Sequence, residues 1–395
     1  MATVPRIGTG QRRARLALRH HLSPGARAAT VAEVGAGLVA LHATDPASVF
    51  LAIQARARAN PAPAVIEQAL YVDRTLVRML GMRRTMFVVA ADLMPVVQAS
   101  CTDEIALRQR RRYVQLLAQG GIAGDAGAWL KDVEESTARA LAARGEATAA
   151  QLAEDEPRLR TKIMMAEGKS YGGMQGVSTW VLLLLAAEGR IVRGRPRGSW
   201  TSTQYRWLPI EAWLPGGLTR PPAPAARAGL LRRWLAASGP ATVDDLRWWT
   251  GWTAGQVKAA LAQIPRTEVD LDGTPGFVLA GDEDPVPEVA PWAALLPALD
   301  PTVMGWQDRR WFLGGHGQAL TDRSGNIGPT VWWDGRVIGG WAQRADGRIV
   351  VRLLEDAGAD AVAAAEDEAE RLRGWIGSVR VTPRFRTPLE RELSG

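Results

Sequence analysis

The chain of 395 residues holds a single cysteine, Cys101, so it can form no internal disulfide, and a reducing cytoplasm suits it. Histidine is almost as scarce. His20, His21, His42 and His316 include no His-x-x-x-His spacing, there is no Cys-x-x-Cys, and a metal centre is therefore not expected. The longest apolar run, Trp180 to Ala187, has eight residues, far short of the roughly 20 that span a bilayer. The arginines at the N-terminus lead into no apolar stretch, so neither a secretory signal nor export is expected. A Gly-x-Ser-x-Gly elbow is missing, and Gly35-x-Gly37 lies inside a helical stretch with no strand before it, which removes nucleophilic triads and phosphate-binding loops. No cofactor is called for.

Lysine is the last scarcity, at four residues (Lys131, Lys162, Lys169, Lys258) among 48 basic ones; high-GC coding bias is the simplest main cause of the arginine excess. The placement of charge says more. Residues 1–90 carry 12 basic and 4 acidic side chains, whereas residues 281–395 carry 13 and 18, so the positive field gathers at the front, as for a protein that meets a polyanion. Hydrophobic content of 47% with 23% charged residues describes a globular chain, long enough for several domains.

A basic helix over 10–21 comes first. Val31, Val34, Leu38 and Leu41 recur at helical spacing, and a second helical run covers 47–58, which places Leu41-His42-Ala43-Thr44-Asp45-Pro46 at a helix-turn-helix corner. Asp45 reads there as an N-cap and Pro46 as the first helical residue. A further helix over 64–71 precedes two strand-like runs in 75–89, joined through Gly81 and Arg83-Arg84. Helices ending in a basic hairpin follow the order of a winged helix. Helices fill 91–118, with Arg108, Arg110, Arg111 and Arg112 as a solvated face, and the glycine-rich 120–127 reads as a linker.

The phrase Gly-x-Ala-Thr, followed by a leucine, stands at 145–152 and 239–246, with Ala29-Thr30-Val31 as a fainter copy. Each threonine is expected to cap a helix. Both later copies follow a helix and lead through a recognition helix to a hairpin, at 190–207 and 267–279, and the Pro-rich 221–224 separates them. Beyond the acidic 281–287, alternating segments around Asp-Gly turns suggest an antiparallel sheet or small barrel, with Trp292, Trp306, Trp311, Trp332, Trp333 and Trp341 as its core, and 359–375 forms an acidic helix. The expected fold class is therefore α+β: tandem winged-helix domains followed by a C-terminal antiparallel β-barrel-like domain. Its boundaries fall at 1–120, 121–220, 221–284 and 285–395.

Contacts to nucleic acid are expected from Arg83 and Arg84 at the first hairpin. The second hairpin adds Arg193, Arg195, Arg197 and Trp200, where arginines neutralise phosphates and an aromatic ring stacks or wedges. The net-negative C-terminal part is assigned to scaffolding.

The phrases Leu41–Pro46, Ser238-Gly239-Pro240-Ala241-Thr242, Leu296-Pro297-Ala298-Leu299-Asp300-Pro301 and Gly335-Arg336-Val337-Ile338-Gly339-Gly340-Trp341 resemble the AlkZ/YcaQ-type bacterial DNA glycosylases, in order and over nearly the whole chain. The resemblance implies three winged helices and a barrel around a DNA-binding channel. It also implies hydrolysis of the N-glycosidic bond of alkylated purines, chiefly at guanine N7, and in some members the unhooking of interstrand crosslinks. Damaged double-stranded DNA is then the partner, met by a monomer at the bacterial nucleoid. The motif departs from the family, which carries Gln-hydrophobic-Gln or Gln-hydrophobic-Asp where this chain has His42-Ala43-Thr44. Imidazole and hydroxyl both still hold water. His42 is thus expected to position or deprotonate the attacking water, Thr44 to be its second anchor, and Asp45 to add negative charge or simply cap its helix. A protein on this scaffold that binds DNA without cutting the glycosidic bond is the alternative.

Overall fold

The computed structural model describes residues 4–122, 124–165 and 173–395. The chain divides into two compact units. The first comprises residues 1–77, 87–91 and 227–395, and the second residues 78–86 and 92–226.

In the first unit, α1 (Thr9–Arg19) leads to α2 (Val31–Gly37), β1 (Leu41–His42), α3 (Pro46–Gln54) and α4 (Pro63–Tyr71), then to the strands β2 (Leu76–Gly81) and β3 (Thr85–Ala90). The base of this hairpin belongs to the first unit and its tip to the second. The sheet order is β1-β3-β2. Here the helical corner expected around His42 is corrected. The helix stops at Gly37, Val39 turns the chain with φ of 64°, and Leu41 and His42 pair antiparallel with Val88 and Phe87. Leu41 is fully buried because its strand lies in the unit's interior, which reproduces the apolar spacing that suggested a longer helix.

The second unit continues with α5 (Met94–Val97), a π-helical turn at Gln98–Thr102, and α6 (Asp103–Gln119). It then repeats the plan: α7 (Ala126–Arg144), β4 (Ala147–Thr148), α8 (Ala149–Asp155), β5 (Lys162–Met165), β6 (Gly173–Gly176), α9 (Val177–Ala187), β7 (Ile191–Pro196) and β8 (Tyr205–Pro209), closed by α10 (Ile210–Trp213). The order of the main sheet is β4-β8-β7, the same as in the first repeat. The β5–β6 hairpin is an insertion that no periodicity announced. Trp180 of α9 stacks on Tyr113 of α6, centroids 4.9 Å apart, in a core with Leu130, Val133, Leu152 and Leu184. Arg110 is no mere solvated residue, since it pairs with Glu134 and Glu188 and ties α6 to α7 and to the end of α9.

The third repeat begins at the boundary of the two units and runs on in the first: α11 (Ala223–Ser238), Ala241 bridged to Phe277, α12 (Val243–Thr250), α13 (Ala254–Leu261), β9 (Arg266–Leu271) and β10 (Thr274–Leu279). Gly251 ends α12 in the left-handed conformation that glycine adopts without strain. Thr148 and Thr242 each close a capping box at the start of α8 and α12, which is why their phrases recur. Thr30 caps too, but its helix is α2, the first of its repeat. The residue in the place of Thr148 and Thr242 is Asp45, which caps α3 immediately after the short strand.

The C-terminal part holds β11 (Ala293–Leu296), α14 (Arg310–Leu313), α15 (Gly317–Leu320), β12 (Thr330–Trp333), β13 (Arg336–Gln343), β14 (Ile349–Leu353), α16 (Ala359–Ile376) and α17 (Pro388–Ser394). The expected barrel is corrected: the four strands form an open antiparallel sheet, β11-β12-β13-β14, whose two edges do not pair among the described residues. Helices do the covering that closure would have done, with α16 on β11 and β14 and α17 on β13. Trp292, Trp306, Trp332 and Trp341 are buried, and Phe312 stacks on Trp332 at 5.3 Å. No helix among the described residues is long and apolar enough to cross a membrane.

Candidate functional site

The stretch 41–46 is held from several sides within the first unit. His42 is 7% exposed and meets the Phe87 ring edge-on at 5.4 Å. Thr44 is partly exposed. Asp45 is buried. Its Oδ1 accepts from the Ala47 N–H at 3.1 Å, and its Oδ2 accepts from the Arg384 N–H at 3.1 Å. The Arg384 guanidinium donates to the Thr44 carbonyl at 3.5 Å. Both carboxylate oxygens of Asp45 thus hold backbone, one at the head of α3 and one on the C-terminal segment.

Two of the other family-like phrases, 296–301 and 335–341, reach this corner. Ser48, in the first turn of α3, donates to the Ala298 carbonyl at 2.7 Å, and the Trp341 indole donates to the Leu296 carbonyl at 2.9 Å. A narrow apolar cleft of about 10 Å³, room for little more than one water, lies among Asp45, Ser48, Leu51, Ala298, Trp341 and Pro383. Gly339 has to be glycine, because a Cβ there would stand 2.1 Å from the Arg352 carbonyl oxygen. Just past the end of α3, Arg56 and Asp300 form a fully buried bidentate pair at 2.6 and 2.8 Å. Arg56 also donates to the His20 carbonyl and to the Thr302 hydroxyl. The His20 ring lies 2.8 Å from the Thr302 hydroxyl and 3.3 Å from that of Ser238, in the remaining phrase. Burial and the neighbouring Arg56 hold this imidazole well below the usual histidine value, so it is neutral.

The hairpin residues expected to contact nucleic acid differ in their surroundings. Arg84 is exposed at the first hairpin tip and donates to Gln109 at 2.9 Å, while Arg83 turns the chain with φ of 54°. Arg195 and Arg197 are exposed on the second hairpin. Arg193 instead lies over the Trp207 ring at 4.5 Å and faces Met86, and burial, with Arg78 nearby, lowers its pKa to about 10. Trp200 is corrected from a stacking platform to an interior residue, 6% exposed. Sequence reading missed Arg384, Ser48 and the Arg56–Asp300 pair. Only the Leu296–Pro301 phrase signalled any of them.

Three repeats of one helix–strand–helix–helix–hairpin plan and a four-stranded sheet, with conspicuous phrases gathered behind one strand–helix corner, define a modular α/β scaffold. Residues 36–375 match the model of the family described as DNA glycosylase AlkZ-like, and the chain belongs to that family. It is similar to an interstrand DNA cross-link repair glycosylase of Streptomyces sahachiroi, 28% identical over 215 residues, which is 52% of this chain and 57% of that relative. The solved structure of the Streptomyces sahachiroi DNA glycosylase AlkZ superposes with a TM-score of 0.72 at 22% identity, covering 95% of this chain and 98% of that one.

Proposed function

We propose that the protein is a monofunctional DNA glycosylase acting on N7-alkylated guanine in duplex DNA, including bulky adducts or crosslinks of the kind named for its relative. The observation that carries this reading is the corner itself. His42, Ala43, Thr44 and Asp45 stand where β1 passes into α3, braced by the Leu296–Pro301 phrase through Ser48 and by the backbone of Arg384. The three repeats are read as winged helices, and the division of the chain near residues 120, 220 and 284 belongs to the same reading.

The chemistry asks little of the protein. A guanine alkylated at N7 already carries positive charge and leaves without being protonated, so the site needs to steady an oxocarbenium-like sugar and aim water at C1′. His42 positions or deprotonates that water and Thr44 is its second anchor. Asp45 acts as a positioning residue, since both of its oxygens serve the backbone. Release of free base from an N7-methylguanine duplex tests the reading. His42→Ala should lower the rate by about a hundredfold or more, the scale of a lost general base, and His42→Gln, which restores the family's residue, should retain it. A rate indifferent to His42→Ala removes His42 from this role. The near-complete burial of His42 favours a second reading, a DNA-binding protein without glycosylase activity, and binding with no base release by the wild type would establish it.

A further inference from the structure

The C-terminal part of the first unit carries a groove of about 860 Å³ that the overall charge of this region conceals. Four arginines line it: Arg323, Arg384, Arg386 and Arg391. Asp322 is the one acid among the described residues of its wall, and it is spent locally. Its oxygens accept the N–H groups of Ser324 and Asn326 and the Asn326 amide, which keep it ionised below the usual aspartate range. Arg386 is neutralised by Glu390, itself buried. Arg323, Arg384 and Arg391 are exposed and form no ion pair among the described residues. The groove therefore keeps about three uncompensated cations, and one of them, Arg384, already touches the Thr44 carbonyl.

We propose that this groove is a phosphodiester-binding surface, which receives the strand that flanks the nucleotide presented at Thr44. The proposal rests on the glycosylase reading for its partner. Guanidinium groups match phosphate oxygens in geometry as well as charge. A run of them leading from the corner would hold a strand in register, without reading its sequence. The region assigned from its net charge to scaffolding then takes part in binding.

The test measures the affinity of the full chain for a short undamaged duplex by fluorescence anisotropy, between about 50 and 200 mM NaCl. Replacing Arg323 and Arg391 together by glutamine should flatten the slope of log K against log salt by about 2, at roughly 0.9 per phosphate contact, and weaken binding at least about tenfold at the lowest salt. A control variant, Arg348→Gln with Arg373→Gln, removes two arginines already paired with Asp346 and Glu370 and should leave the slope unchanged. An unchanged slope in the groove variant, or equal flattening in the control, overturns the proposal. Thermal stabilisation by inorganic phosphate with an unchanged DNA slope would make the groove a small-anion site and overturns it as well. If the groove variant keeps its slope while the wild type releases base, only the groove falls. A wild type without salt-dependent duplex affinity brings down both.

Discussion

Arg56 illustrates how a buried charge is kept. Its guanidinium meets Asp300, Thr302, the His20 carbonyl and the Ala52 carbonyl, with neither ion of the pair exposed. Such a pair adds little net stability, yet breaking it strands one ion in the interior, at a cost of about 3–5 kcal/mol. Asp300→Asn should therefore shift the urea midpoint strongly downward, and the apolar double variant Arg56→Met with Asp300→Leu should recover much of the loss. His20 beside it makes a pH prediction. The unfolded chain takes up a proton near 6.5, while the folded chain resists it until much lower pH. Unfolding thus binds a proton in that window, so stability is full above 6.5 and falls as the pH drops below it, by up to about 1.4 kcal/mol per pH unit. The difference between wild type and His20→Gln in urea midpoint against pH should show this slope; parallel curves would mean that His20 is not held neutral. Neither residue stood out in the sequence. Arg56 is one arginine among many, and the His20 partners lie more than 200 positions away.

At the scale of elements, the caps were legible because a helix N-terminus is a local event. Thr148 and Thr242 announce α8 and α12 through a side chain that reaches three residues ahead, and Thr148→Ala or Thr242→Ala should each cost about 1 kcal/mol in denaturation. The strand β1 was not legible, since two residues have no period and their partners, Phe87 and Val88, lie 45 to 47 positions on. The open sheet was illegible for a related reason: alternation gives strands, but whether edge strands meet depends on which helices cover them. Asp45 separates structure from chemistry at this scale. Asparagine caps as well as aspartate does, so Asp45→Asn should keep the head of α3 while weakening the hold on Arg384, with a modest fall in melting temperature and most of the base release retained. A loss of base release comparable to that of His42→Ala, at an unchanged melting temperature, would place Asp45 in the reaction itself.

At the scale of the molecule, charge and lysine usage point to the outcome of the reaction. Net charge by segment was legible, but it averaged away the C-terminal groove, because Arg323 and Arg391 are far apart in sequence and acidic α16 lies between them. The first unit gathers both ends of the chain, which no consecutive division of the sequence displays. Lysine is a different matter, since its absence from a site is visible at once. The corner's named neighbours are Phe87, Ala298, Trp341, Pro383 and Arg384, and none carries a primary amine. Lys258, the one lysine of the first unit, is exposed on α13. On the glycosylase reading, a corner with no amine among these neighbours offers the sugar C1′ no Schiff-base partner there, so elimination at the 3′ phosphate is not expected. Incubation with an N7-methylguanine duplex should leave the damaged strand uncut on a denaturing gel until alkali opens the abasic site, and borohydride should trap no covalent protein–DNA adduct. Strand scission before alkali, or a trapped adduct lost in Lys258→Ala, would show that an amine does enter the reaction and that the water-based chemistry at His42 and Thr44 is wrong.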